Sequence, residues 1–253
     1  MTELHIYRIL LFVFLGLAAA ACAAIFFVTV PYGRHRRSGW GHLIRGRWGW
    51  FLMESPSFFV FLFVFLLGPN STGLLAFIFF LLWEVHYVQR SLVYPFLIRS
   101  REKSVPLSVI VMAMAFTSLN GYLNGRWLFK FSGGYSASWL TDLRFIFGAS
   151  LFVAGLIINL HSDSLLRSLR APGESGYKVP QGGLFRYVSC ANYFGEIVEW
   201  FGWALATWSL AGLGFAVWTV ANLAPRARSH HLWYRRTFPD YPPKRKALIP
   251  FLI

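Results

Sequence analysis

Long apolar stretches make up most of this chain, and short polar segments separate them. Each of seven stretches is close to the length of about 20 residues that crosses the hydrocarbon core of a bilayer as a helix. They cover approximately residues 6–30, 50–67, 74–98, 105–123, 144–161, 188–208 and 210–226. The pattern predicts seven transmembrane helices. The last two stretches could also form one long broken segment.

Composition supports this class of protein. Of the 253 residues, 56% are hydrophobic and only 13% are charged, whereas a soluble domain carries about 25% charged residues. We therefore predict an all-α, polytopic membrane protein formed by a single transmembrane domain over 1–253. The net charge of +14 does not indicate nucleic acid binding, because the basic residues lie in loops between apolar stretches.

The distribution of basic residues predicts the orientation in the membrane. Of the 24 Lys and Arg residues, 19 fall in the segments 31–49, 99–104, 162–187 and 226–253. Cytoplasmic loops carry an excess of Lys and Arg. The count therefore predicts an N-terminus outside, a cytosolic C-terminus and a long cytosolic loop at 162–187.

Polar residues within the apolar stretches concentrate at the ends that this topology places in the cytosol. They include Glu54, Glu84, His86, Tyr87, Arg90, Asn159, Asp163, Asn192, Glu196 and Glu199. Ionisable groups inside a membrane are costly and usually face a shared polar cavity. The pattern predicts one pocket that opens to the cytosol and is walled by most of the bundle.

The segment from Asn159 to Trp200 is the most informative part of the chain. Residues 159, 163, 167 and 170 share one helix face by their spacing, and all four are polar. An amphipathic helix end at the interface is an alternative reading. The loop that follows is rich in Gly and Pro, and its backbone N–H groups could hold phosphate oxygens. An ordinary turn would explain the glycines equally well.

The next apolar stretch carries Asn192, Glu196 and Glu199 on one face. These side chains could form ion pairs with Arg167, Arg170 or Arg226, or hydrogen bonds with the hydroxyls or amide of a ligand. The sequence leaves both interpretations open.

Glu54 and Tyr87 form a further candidate pair on neighbouring predicted spans. A buried carboxylate can orient a phenol, which then donates a hydrogen bond to a substrate carbonyl and stabilises a developing enolate. A tyrosine near a membrane surface can equally be an aromatic anchor.

Histidine spacing does not support a metal site, and neither cysteine has the surroundings of an activated nucleophile.

Five stretches resemble a known family. They read PYGRH, WFLMESPSF, HYVQRSLVYPF, INLHSDSLLRSLRAPGESGYKVPQGGLFRYVSCANYFGEIVEWFGWALATWSLAGLGFA and RSHHLWYRRTFPDYPPKRKALIPF. Together they closely resemble the steroid 5α-reductases, from about residue 30 onward. The resemblance implies a seven-helix membrane enzyme that uses NADPH to reduce the 4,5 double bond of a 3-oxo-Δ4-steroid.

The resemblance also implies roles for individual residues. Glu54 and Tyr87 match the positions that bind the 3-oxo group, with Met53 beside them. The dinucleotide pocket is implied at Tyr32, Gly33, Asn159, Asp163, Arg170, Tyr177, Asn192, Glu196, Arg226, His230 and Tyr234. The family typically has Gln where this chain has Met53. Because Met cannot donate a hydrogen bond, we expect reduced activity or an altered choice of substrate.

These assignments divide the chain into a mainly steroid-binding half, 1–123, and a mainly NADPH-binding half, 144–253. The expected partners are a steroid and the lipid bilayer, and no protein partner is indicated.

Alternative functions are a reductase of another enone-like lipid, such as a polyprenol or enoyl thioester, and a membrane methyltransferase acting on prenylated cysteine. A non-enzymatic sterol carrier is a third. The expected location is the inner membrane of a bacterium or the endoplasmic reticulum of a eukaryote.

Overall fold

A computed structural model describes residues 1–27, 39–97, 104–169, 171, 174 and 176–253. This part of the chain is mostly helical, which confirms the predicted helical class. In chain order its elements are α1 (Glu3–Phe27), β1 (Leu43–Arg45), α2 (Gly46–Leu67), α3 (Leu74–Tyr87), a π-helical turn (Val88–Val93), α4 (Tyr94–Leu97), β2 (Ser104–Pro106), α5 (Leu107–Arg126), a second π-helical turn (Trp127–Phe131), a 3₁₀ turn (Ala137–Thr141), α6 (Leu143–Ser168), another 3₁₀ turn (Gly183–Arg186), α7 (Ala191–Thr207) and α8 (Leu210–Thr237).

Four helices of the described residues are long and apolar enough to cross a membrane. They are Glu3–Ile25, Gly46–Leu67, Leu107–Phe131 and Leu143–Ser168. This finding supports a membrane protein. Helices α3 and α7 are shorter, at 14 and 17 residues, although α3 continues through the π-helical turn into α4. The membrane crossings expected at 74–98, 188–208 and 210–226 remain predictions.

Two helices extend beyond the apolar stretches that predicted them. Helix α6 continues to Ser168 rather than ending near 161, and α8 continues to Thr237 rather than ending near 226. Hydropathy marks where a helix becomes polar, and both helices remain regular past that point. Between α7 and α8, Trp208 has a left-handed backbone with φ 45°. The last two apolar stretches are therefore two separate helices.

The chain divides into two compact units. The first contains the N-terminal half of α1 and the elements from β1 to the start of α6, together with residues 209–211. The second contains the rest of α1, most of α6, α7, and α8 with the segment that follows it. Each unit has its own packing.

Aromatic rings form the core of the first unit. Phe61 of α2 is fully buried and stacks on Trp83 of α3, with ring centroids 4.4 Å apart. Phe129 meets the Phe61 ring edge-on at 5.2 Å. The indole N–H of Trp83 donates a hydrogen bond to the backbone oxygen of Ser57 at 3.2 Å. These contacts join α2, α3 and the π-helical turn that follows α5.

A two-stranded antiparallel sheet, formed by β1 and β2, precedes two of these helices. Leu43 pairs with Pro106 and Arg45 with Ser104. Helix α2 starts directly after β1 and α5 directly after β2. This small sheet, which the sequence did not predict, therefore fixes the starts of α2 and α5 beside each other.

Glycines hold α6 and α7 of the second unit in main-chain contact. Gly148 and Gly155 lie on one face of α6, and Gly195 and Gly202 lie on one face of α7. A methyl group added to Gly195 would come within 2.6 Å of the backbone nitrogen of Asn159, and one added to Gly155 would overlap the backbone nitrogen of Glu199. Small residues allow such close approach between membrane helices, where packing rather than the hydrophobic effect drives association.

We predict that Gly155→Ala lowers the stability of the protein. The added methyl group must push α7 away, and overpacking of this kind costs about 1–3 kcal/mol, which corresponds to a fall of roughly 2–10 °C in melting temperature. Thermal unfolding in detergent measures the effect. The matched control is Gly16→Ala in α1, where an added methyl group meets nothing within 4 Å. Equal melting temperatures for the two variants would contradict the close contact of the helices.

Candidate active site

The first unit places the predicted catalytic pair on helices that pack together. Glu54 lies half-buried on α2, and Tyr87 is the last residue of α3, only 3% exposed. The ring of Tyr87 packs against Trp83 at 4.9 Å and meets His86 edge-on at 4.9 Å. The π-helical turn begins at the next residue, and such turns occur frequently at functional sites. The hydrogen bond expected between Glu54 and Tyr87 remains a prediction.

Met53 lies in an apolar cluster. Its side chain is 6% exposed and packs among Val105, Val109 and Ile110. Its backbone oxygen accepts a hydrogen bond from the hydroxyl of Thr117 at 2.9 Å. A thioether suits this environment better than an amide would, because a buried amide needs hydrogen-bond partners. The predicted contact of Met53 with substrate remains a prediction.

Two other ionisable residues near Tyr87 are buried, and the sequence analysis assigned no specific role to either. Glu84 lies one helical turn before Tyr87 and is 6% exposed, and neither carboxyl oxygen has a hydrogen-bond partner among the described residues. Arg90 lies in the π-helical turn, with its guanidinium group 5.0 Å from the ring centroid of Trp50 and 5.1 Å from that of Tyr94. Cation–π contacts of this kind stabilise a buried arginine.

The second unit brings together four residues of the predicted dinucleotide pocket, at the seam between α6 and α7. The side-chain amide of Asn159 donates to the backbone oxygen of Asn192 at 3.0 Å and to a carboxyl oxygen of Glu196 at 3.5 Å. The amide of Asn192 donates to a carboxyl oxygen of Asp163 at 3.1 Å. Asn159 and Asp163 are each only 1% exposed. The two predicted polar faces therefore do meet.

A second group of predicted residues lies along α8. The guanidinium group of Arg226 sits over the ring of Tyr193, 5.4 Å from its centroid, and the Tyr193 hydroxyl lies 3.3 Å from Nε2 of His230. The sequence did not single out Tyr193. Its position beside Asn192, at the polar end of α7, was the available signal. Tyr193 links the α6–α7 seam to α8.

Tyr177 and Tyr234 have aromatic partners in the same unit. The ring of Tyr177 meets Trp233 edge-on at 5.1 Å, while Tyr234 is 4% exposed and stacks on Tyr241 at 5.4 Å. Both tyrosines therefore pack on or beside the C-terminal end of α8. Three other predicted cofactor residues, Tyr32, Gly33 and Arg170, lie outside the described residues.

The segment after α8 is hydrogen-bonded to the loop between α6 and α7. The guanidinium group of Arg245 donates to the backbone oxygen of Pro180 at 3.1 Å. The hydroxyl of Ser189 lies 2.6 Å from both Nδ1 of His231 and the Tyr241 hydroxyl. Burial, assisted by nearby cations, lowers the pKa of His231, which favours the neutral imidazole in this hydrogen bond.

One buried donor of the second unit is available to an anionic ligand. One guanidinium nitrogen of Arg167 is buried and has no hydrogen-bond partner among the described residues. An unsatisfied buried donor is costly, and a phosphate oxygen would satisfy it. Within the residues that the structure describes, no three His, Cys, Asp or Glu side chains lie close enough together to hold a metal ion.

Comparisons with known proteins identify the family. Residues 103–253 match the family described as 3-oxo-5-alpha-steroid 4-dehydrogenase. The chain is 47% identical over 234 residues to 3-oxo-5-alpha-steroid 4-dehydrogenase 1 of Bos taurus, covering 89% of each protein. It is 44% identical over 233 residues to steroid 5-alpha-reductase DET2 of Gossypium hirsutum, covering 90% of each. With the Homo sapiens 3-oxo-5-alpha-steroid 4-dehydrogenase 1 it shares 45% identity over 223 residues, 87% of this chain and 85% of the relative.

These matches, together with the four long apolar helices, define a membrane oxidoreductase that acts on CH–CH bonds. The chain belongs to the 3-oxo-5-alpha-steroid 4-dehydrogenase family. The resemblance seen in the sequence is confirmed.

We predict that Glu84→Leu leaves the melting temperature unchanged or raises it. A buried carboxyl group without partners is destabilising, and an apolar side chain of similar volume removes that cost. Glu84→Gln, which keeps a buried polar group, should give a smaller increase or none. A clear fall in the melting temperature of Glu84→Leu would show that the carboxyl group makes stabilising contacts.

Proposed function

We propose that this protein reduces the 4,5 double bond of 3-oxo-Δ4-steroids with NADPH as the reductant. The observation that carries the proposal is the 47% identity with a 3-oxo-5-alpha-steroid 4-dehydrogenase over 89% of the chain. The polar seam of the second unit supports it, because amides and carboxylates are the kinds of group that form hydrogen bonds with a dinucleotide. Incubation with NADPH and a panel of Δ4-3-ketosteroids, followed by product analysis, tests the proposal, and the absence of any 5α-reduced product would reject it.

The donor set of the second unit fits NADPH. When bound, the cofactor supplies a hydride to C5 of the steroid, and a proton adds at C4. Asn159, Asn192 and Glu196 would bind ribose hydroxyls or the nicotinamide amide. The guanidinium groups of Arg226 and Arg167 would neutralise phosphate, and one nitrogen of Arg167 has no hydrogen-bond partner in the described part of the chain. Further contacts are proposed at Tyr32, Gly33, Asp163, Arg170, Tyr177, His230 and Tyr234.

In the first unit, Tyr87 would donate a hydrogen bond to the 3-oxo group of the steroid. This bond strengthens as negative charge develops on the oxygen, so it lowers the energy of the transition state more than that of the bound substrate. Glu54 would orient the phenol. The buried position of Tyr87, 3% exposed, supports this role because hydrogen bonds are stronger where water is excluded.

These roles divide the work between a mainly steroid-binding half, 1–123, and a mainly NADPH-binding half, 144–253. The steroid is apolar and would reach its site through the lipid bilayer. The host membrane would be the inner membrane of a bacterium or the endoplasmic reticulum of a eukaryote.

We predict that Tyr87→Phe lowers the turnover rate by about 10²–10⁴-fold, the usual contribution of a positioned acid group. The phenyl ring preserves the packing on Trp83, so NADPH affinity and melting temperature should stay close to those of the parent protein. Tyr122→Phe, on α5 of the same unit, is the matched control and should keep the parent rate. A rate within about twofold of the parent for Tyr87→Phe would remove the acid role.

We predict that Asn192→Ala weakens NADPH binding by about tenfold or more. The substitution removes the amide that donates a hydrogen bond to Asp163, so the other polar side chains of the seam are no longer held in place for the cofactor. Titration with NADPH measures the effect, and steroid binding by the same variant should change little. Asn70→Ala removes an amide that donates to the backbone oxygen of Lys130 in the first unit, and it should leave NADPH affinity unchanged. Equal NADPH affinity in both variants would contradict the assignment of the seam.

A further inference from the structure

A cleft of about 410 Å³ lies in the second unit, beside the C-terminal part of α6. Ile158, His161 and Ser162 line one side of it, and Leu184, Arg186 and Tyr187 line the other. It uses a different face of α6 from the polar seam, since Asn159 and Asp163 are directed to α7. The proposed function assigns no role to the residues of this cleft.

The cleft combines an apolar lining with cationic or titratable groups. Ile158 and Leu184 supply the apolar surface. Among the described residues, the side chains of Arg186 and His161 have neither a hydrogen bond nor an ion pair. Both are exposed, so they are available to an anion.

Glycine at position 183 keeps the cleft open. Its backbone has φ +48°, and a methyl group added there would lie 2.9 Å from Nε2 of His161. A side chain would therefore both strain the turn and press on the imidazole. The short 3₁₀ turn brings its main chain against His161 because residue 183 has no side chain.

The rim of the cleft continues into exposed aromatic and apolar surface. Tyr187 is 44% exposed, and its ring centroid lies 5.2 Å from that of Phe251, which is 75% exposed. Leu252 is 70% exposed. The backbone N–H of Lys246 donates a hydrogen bond to the backbone oxygen of Tyr187 at 2.8 Å, so the main chain of Lys246 adjoins this edge. Aromatic rings mixed with basic side chains are typical of the membrane–water interface.

We propose that this cleft binds an anionic glycerophospholipid. The phosphate group would lie between Arg186 and His161, and an acyl chain would cover Ile158 and Leu184. The proposal rests on the predicted topology, which places this end of α6 at the cytosolic membrane surface, and it is independent of the proposed reaction. A water-soluble anion would gain nothing from the apolar lining or from the exposed ring of Phe251, whereas a phospholipid matches both.

Native mass spectrometry of the full chain, released from bilayers of phosphatidylglycerol and phosphatidylcholine with identical acyl chains, tests the proposal. The parent protein should retain phosphatidylglycerol in preference to phosphatidylcholine. Arg186→Gln should reduce that retention by about fivefold, the effect of one basic residue near an anionic surface. Arg45→Gln removes an exposed charge of the same sign from β1 of the first unit and should leave retention unchanged.

Three outcomes would overturn the proposal. Equal retention of the two lipids by the parent protein would show no anionic-lipid site. An equal loss in Arg186→Gln and Arg45→Gln would show that only the overall charge matters. Full displacement of phosphatidylglycerol by glycerol phosphate, or a loss of NADPH affinity in Arg186→Gln without any change in lipid retention, would assign the cleft to a soluble phosphate ligand.

Discussion

Main-chain contact between α6 and α7 is the constraint on which the second unit depends. Between membrane helices the hydrophobic effect contributes little, and close packing of small residues holds them together. Gly155 and Gly195 permit that approach, and the same approach brings Asn159 within hydrogen-bonding distance of the Asn192 backbone. Packing and polar chemistry are therefore coupled, because a side chain that separated the helices would also break the seam.

The first unit is held together by aromatic contacts rather than by glycines. Its core is built from aromatic rings around Phe61, and it buries Glu84, Tyr87 and Arg90 along α3 and the π-helical turn. Arginine is stabilised there by two aromatic rings, whereas Glu84 has no hydrogen-bond partner among the described residues. Proteins retain such destabilising groups chiefly where function requires them.

Spacing along the chain predicted the polar seam correctly, because residues four apart on a helix share a face whatever the tertiary fold. The four-residue steps from Asn159 to Asp163 and from Asn192 to Glu196 needed only two helices in contact. The β1–β2 sheet could not be predicted, since strands of three residues carry no periodic pattern. The sequence also could not predict the π-helical turn after Tyr87, nor that Glu84 has no hydrogen-bond partner in the described part of the chain, which depends on neighbours distant in sequence.

The most direct test of the proposed reaction follows the hydrogen atoms. NADPH that carries deuterium in place of both hydrogens at C4 of its dihydronicotinamide ring is incubated with the protein and a Δ4-3-ketosteroid. The product is analysed by mass spectrometry and NMR. Direct reduction predicts one deuterium at C5 in the 5α configuration and a hydrogen from solvent at C4. A product without deuterium at C5, or with deuterium at C4, would contradict the proposed reaction.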